Sequence, residues 1–251
     1  MSTSSAKTSG PRHENVAVLY LNDSYGTGLN MVFQETFTGA GGTIVAEQSY
    51  NTGDTSFDAQ ISAITASNPD AIVLITFDEI YTFGPALLAA GYPASQLYLV
   101  DGNLKNFGSD EKWPAGSSVE GAKGTTPAGP LEADSGFQDR LNEWWVGEGN
   151  TDLTDFSYAN ESYDAVILLA LAALTANSTE SADIAANLQQ VSGEGDKCDT
   201  FEACADIILG GGMADYDGYS GPITFDENGD PTEATIGIFQ FGADNLNTRI
   251  G

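Results

Sequence analysis

The chain has 251 residues, and 36 Asp and Glu against 8 Lys and Arg give a formal net charge of -28. That balance excludes a nucleic-acid-binding surface, because no basic patch can be assembled to neutralise phosphates, and it opposes docking on anionic lipid. With 41% hydrophobic residues, 12 Phe, 10 Tyr and 3 Trp the chain can bury a core, as a disordered acidic tail cannot, and its apolar runs are too short to cross a bilayer.

Residues 1–14 read as a polar tail without the apolar stretch of an export signal. Val16 to Leu21 (VAVLYL) is a continuous apolar run, as in a parallel strand buried on both faces. After the loop Asn22 to Gly26, Leu29, Val32, Phe33 and Phe37 fall at helical spacing, and Gly39 closes that helix. Thr43 to Ser49 is the next predicted strand. Phe57, Ile61 and Ile64 predict a second helix, capped by Asp54 or Thr55. Ala71 to Phe77 is a third strand, followed by a helix to Ala90 that Gly91 stops. Gln96 to Val100 is a fourth strand, and Val119 to Thr125 a candidate fifth. Strand and helix in alternation predict βαβ units and a parallel, doubly wound sheet.

The pattern then changes. Phe137, Leu141, Trp144 and Trp145 mark one helix, Ser162 to Ala176 a long apolar one, and Ile184 and Leu188 another. Tyr219 to Phe241 suggests two extended segments around an Asn228-Gly229 turn. These elements are too few in strands for a second sheet. The long helix is apolar over a wide arc and calls for burial against something. Gly210 to Gly212 reads as a loop.

Cys198 and Cys204 lack the second pair that a zinc site needs, and the only histidine is His13. A small disulfide closing KCDTFEAC is the expectation, implying an oxidising compartment, with a redox switch as the alternative. Asp226-x-Asn228-x-Asp230 imitates the start of a calcium loop, but Pro231 stands where that loop needs Gly, so a turn is expected and no metal site. No nucleophile elbow, triad or dinucleotide fingerprint is present, which argues against an enzyme and against a bound cofactor.

In open α/β sheets ligands bind beyond the carboxyl ends of the strands. Three such ends carry Asp23, Ser24 and Tyr25; Phe77, Asp78 and Glu79; and Asp101, Gly102 and Asn103. This edge reads as acidic and aromatic, without a cation, and suits an ammonium group better than a phosphate. Each Asp alone has an ordinary reading as a helix cap or turn former. The scarcity of Lys and Arg beside abundant Asp, Gly, Ser, Thr and Asn also fits a surface that stays hydrated in concentrated salt; the alternatives are a halophilic or marine source and an acidic secreted protein.

The segments VAVLYLNDSYGTGL, SYNTGDTSFDAQISAI, NPDAIVLITF, ESYDAVILLALAAL and YSGPITFDENGDP, the last followed by IGIFQF, occur in this order. Together they resemble the leucine/isoleucine/valine-type solute-binding proteins of ABC transporters, which have the type I periplasmic-binding fold. The resemblance implies two α/β lobes joined by three crossings, with a ligand clamped between them. It assigns 15–157 and 234–251 to a nearly complete second lobe with a doubly wound parallel sheet. It assigns 158–233 to the C-terminal remnant of the first lobe, and so implies a fragment lacking the signal segment and the loop that holds a ligand carboxylate.

The resemblance also implies site residues. Ser24, Tyr25, Phe77, Asp101, Gly102 and Tyr163 are the candidate ligand contacts, with Asp101 receiving an α-ammonium. The implied function is binding of a small amino acid or amide for an ABC permease, in the periplasm or outside the cell, with a lipid anchor on the full-length protein. A ligand-sensing receptor domain is the main alternative; an enzyme on a flavodoxin-like sheet and an inert fragment are the others. With its sheet missing, the helix bearing Val166, Ile167, Leu169, Leu171 and Leu174 is expected to expose an apolar patch and drive salt-dependent self-association.

Overall fold

The computed structural model describes residues 13–129, 136–193 and 195–251. In chain order these hold β1 (Asn15–Leu21), α1 (Ser24–Gly39), β2 (Thr43–Tyr50), α2 (Asp58–Ser67), β3 (Ala71–Ile75), α3 (Ile80–Ala89), β4 (Leu97–Leu99) and β5 (Lys123–Pro127). There follow α4 (Phe137–Gly147), α5 (Ala159–Ala176), α6 (Ser181–Asn187), β6 (Asp196–Cys198), α7 (Phe201–Leu209), β7 (Ala214–Tyr216), β8 (Ile236–Phe241) and β9 (Asn247–Arg249).

The described residues divide into two compact units: those up to Thr125 with Phe239–Arg249, and those of Thr126–Ile238 with Ile250–Gly251. The chain changes unit at Thr125/Thr126, Ile238/Phe239 and Arg249/Ile250. This division differs from the lobe limits expected after 157 and 233, because α4 belongs with the second unit: Phe137 stacks on Tyr219 and meets Tyr163 edge-on.

The main sheet has the order β2-β1-β3-β4-β5-β8-β9. Its pairs from β2 to β5 are parallel, and β8 pairs antiparallel with β9. In the first unit the apolar runs of β1 and β3 are buried nearly throughout, as a strand covered by helices on both faces requires. Leu19, Ile72 and Leu74 are fully buried there with Ile64 of α2 and Phe83 and Leu87 of α3. Asp23 caps α1, accepting from the backbone N–H of Gly26 at 2.7 Å. α2 has neither expected cap: Phe57 occupies that position with no side-chain bond. Asp54 accepts from the Asn51 N–H instead, closing the turn after β2. The third strand ends at Ile75, two residues short of its expected end, which leaves Thr76 and Phe77 on the loop.

In the second unit, α5 packs its inner face on a core with Val191, Tyr216 and the Cys198–Cys204 disulfide. Of the five residues expected to form an exposed patch, Leu171 is wholly buried and Ile167 and Leu174 pack against that core, while Val166 is 64% and Leu169 49% exposed. The patch is narrower because α6 and α7 cover part of the helix, and α7 stands where the sequence suggests only a cysteine loop. Thr200 caps α7 by accepting from the Ala203 N–H, and Gly211 (φ 84°) lies just past its end. Two further elements are not expected from the sequence: β6 and β7 pair in parallel as a small second sheet. The expected hairpin around Asn228-Gly229 is a tight turn with one bridge, Phe225 to Pro231, and Asp226 accepts from the Asn228 and Asp230 N–H groups.

Candidate functional site

The order of the main sheet reverses between β1 and β3: the chain builds outward from β1 to β2, then from β3 through β4 to β5. At such a reversal the helices leave on opposite faces and open a crevice beyond the strand ends. Tyr25 follows β1, Phe77 follows β3 and Asp101 follows β4, and the structure brings the three together. The Tyr25 hydroxyl donates to Asp101 Oδ1 at 2.6 Å, and the Tyr25 and Phe77 ring centroids are 4.9 Å apart at 31°. A Cβ on residue 102 would lie 2.9 Å from Phe77 ring carbons and from the Thr76 carbonyl oxygen, so only Gly102 allows this approach.

Neighbouring groups fix each part. Gly26 lets α1 start directly against β1, since a Cβ there would lie 2.0 Å from the Leu21 carbonyl oxygen. Asn103, fully buried, donates to Leu74 O at 2.7 Å and Thr76 Oγ1 at 2.9 Å and accepts from the Val100 N–H at 2.9 Å. It thereby ties the end of β3 to the end of β4. Glu79 accepts from the Tyr50 hydroxyl at 2.9 Å and from the Phe77 N–H at 3.1 Å. Burial, and then the hydrogen bond to Glu79, push the Tyr50 phenol above its ordinary pKa.

The expectation of an edge without cations is corrected here. Asp78 is bridged by Lys105 and, at 3.3 Å, by Lys112, both from the segment beyond Asp101. The two ammonium groups stand 5.6 and 5.3 Å from the centroid of the Tyr81 ring, and the Tyr81 hydroxyl donates to Asp110. Lys105 chiefly, then Lys112, hold the Asp78 carboxyl below the usual range. Two lysines within eight positions, in a chain with only 8 basic residues, were the available signal.

Of the other expected contacts, Ser24 is exposed at the first position of α1. Tyr163 belongs to the second unit, where it forms an aromatic cluster with Phe137 and Tyr219, and the Arg140 guanidinium lies 5.4 to 5.6 Å from all three rings. That unit also holds Asp164, a buried carboxylate whose only signal in the sequence is an acid on the apolar stripe of α5. It accepts from the Tyr216 hydroxyl, the Tyr219 and Ser220 N–H groups and the Ser220 hydroxyl. Beside it an apolar groove of about 500 Å³ is lined by Leu168, Leu169, Leu188, Ile223 and Phe225. Among the described residues no group of three or more His, Cys, Asp and Glu is placed to hold a metal ion.

Two aromatic rings and a carboxylate thus meet beyond the strand ends where the sheet order reverses. The family model described as periplasmic binding protein matches residues 3–242. The chain belongs to the periplasmic binding protein family. Solved structures of similar fold include the leucine binding protein LivK of Thermotoga maritima, with a TM-score of 0.69 at 22% identity over 95% of this chain and 60% of that one. LivJ of Streptococcus pneumoniae, a branched-chain amino acid transporter substrate binding protein in complex with isoleucine, gives 0.64 at 19% over 95% and 60%. An extracellular ligand-binding receptor of Rhodopseudomonas palustris gives 0.66 at 20% over 95% and 64%. No curated protein matches the chain. The chain spans about 60% of the length of the first two of these proteins.

Proposed function

We propose that the chain binds a small amino acid or amide outside the cytoplasm, for delivery to an ABC-type uptake permease. One observation carries the reading: Tyr25, Phe77 and Asp101 converge where the sheet order reverses, with the phenol held on the carboxylate at 2.6 Å. Asp101 supplies the acceptor for an ammonium group. A carboxylate offers about four lone-pair positions and can accept from more than one donor at once. The paired rings supply apolar faces for an aliphatic side chain and aromatic faces for the cation. The leucine and isoleucine binders among the similar structures support a branched-chain amino acid as the first ligand to try.

The test is titration of the 251-residue chain with leucine, isoleucine, valine and glutamine, followed by NMR, which also reads weak binding. Saturable shifts at Tyr25, Phe77 and Asp101 are expected. Removing one partner of a desolvated charged hydrogen bond costs on the order of 2–5 kcal/mol, so Asp101→Asn should weaken affinity at least tenfold. Binding unchanged in that variant would reject Asp101 as the anchor. Shifts confined to other residues would reject the site.

A further inference from the structure

We propose that Asp78, Lys105, Lys112 and Tyr81 form an ionic clasp that holds Phe77 in register with Asp101 and makes ligand affinity depend on ionic strength. The inference rests on the binding reading of the Tyr25–Phe77–Asp101 cluster. Its members are positioning residues acting through the aromatic wall.

The clasp joins the two segments that carry the site. Asp78 is the next residue after Phe77, and Lys105 lies four positions beyond Asp101, so their ion pair ties the tip of one loop to the root of the other. Lys112 adds a second bridge to the same carboxylate from farther along that segment. Tyr81 lies three residues past Asp78, in the first turn of α3, where its N–H donates to the Asp78 carbonyl at 3.1 Å, and both ammonium groups stand over its ring. The circuit closes through Asp110, which accepts from the Tyr81 hydroxyl and, at 2.9 Å, from the Lys112 N–H. The Tyr81 ring is itself fixed against the buried Phe107, edge-on at 5.9 Å.

Each ion pair alone is exposed, with 62% of the Asp78 side chain in solvent, and contributes little to folding. What the circuit constrains is local. Phe77 is 40% exposed, its N–H donates to Glu79, and the next residue in the chain is the doubly bridged Asp78. In a chain with 36 acidic and 8 basic residues, two lysines on one carboxylate are a concentrated use of scarce charge. Because the bridges face solvent, dissolved salt weakens them.

Asp78→Asn tests the clasp in the full chain, with Lys197→Gln, which removes the ion pairs on Asp215 and Asp217 in the second unit, as control. In the ligand-free protein, Asp78→Asn should weaken the Tyr25–Phe77 ring stacking seen by NMR, and the control should leave it intact. Leucine affinity at low salt should fall roughly fivefold. Raising salt to about 1 M should weaken the unaltered chain by a similar factor and leave Asp78→Asn nearly unchanged. Unaltered ring stacking in Asp78→Asn overturns the proposal, as does an affinity loss of equal size at every salt concentration. Weakened stacking in Asp78→Asn, together with a parent chain that binds no leucine at all, would uphold the clasp and reject the site reading instead.

Discussion

Gly26 and Gly28 stand two positions apart in α1 and differ in what a methyl group would meet. At Gly26 it would collide with the Leu21 backbone; at Gly28 nothing lies within 4 Å. Gly26→Ala should therefore destabilise the chain by about 1–3 kcal/mol or more, because backbone has no rotamer with which to yield. Gly28→Ala should stabilise it by up to about 1 kcal/mol through helix propensity. Chemical denaturation of the two variants checks both signs. The same scale shows what the sequence could tell about the site. Tyr25, Phe77, Asp101 and Gly102 were legible because a strand end is a local feature, and the crossover rule puts parallel strand ends on one edge. Lys105 and Lys112 were not, since their partners depend on how a loop folds back. Asp23 and Asn103, candidates by position, are occupied in capping and in tying strands.

Among the elements, α5 presents two different faces in one apolar sequence. Leu171 is wholly buried while Leu169, two positions away, is 49% exposed. Leu171→Ala should cost about 2–5 kcal/mol, and Leu169→Ala no more than about 0.5 kcal/mol. Near-equal losses in urea denaturation would show that something covers the outer face. The strands and helices of the first unit were readable because buried parallel strands are continuous apolar runs separated by helical periodicity. α7 was not: Phe201, Cys204, Ala205 and Ile208 keep helical spacing, but two cysteines so close together point first to a loop. β6 and β7 are three residues each, too short for any period to show. The cap of α2 is ambiguous in the sequence because Asp54 is as good a turn former as a helix cap, and only the turn after β2 decides which.

At the scale of the whole molecule, each unit buries a tyrosine whose hydroxyl donates to a carboxylate: Tyr50 to Glu79 in the first and Tyr216 to Asp164 in the second. Burial first, and then the hydrogen-bonded acid, raise both phenols above their ordinary pKa. The sign follows from linkage. A group with a raised folded pKa contributes stability that is complete below the unfolded value of about 10 and is lost as pH climbs toward the folded one. Both units should hold their stability up to about pH 10 and lose it above, with Tyr50→Phe flattening the alkaline decline of the first unit and Tyr216→Phe that of the second. Denaturation curves from neutral to strongly alkaline pH check this, and an alkaline decline unchanged in both variants would assign it to other groups.

The first unit carries one indole, Trp113, and the second two, Trp144 and the partly buried Trp145. Trp113, 6% exposed, is packed at 4.3 Å from Phe107 and donates to the Ser117 carbonyl in the first unit, whereas Trp144 in the second is 60% exposed. An indole in an apolar cage emits at shorter wavelength than one in water. The fluorescence of a single unlabelled sample therefore contains a blue component from Trp113 of the first unit and a red one from Trp144 of the second. Iodide, a quencher that acts on contact, will reach the exposed red component first, and the Lys105 and Lys112 ammonium groups over the Tyr81 ring, 6.4 Å from Trp113, will draw the anion toward the blue one only at low salt.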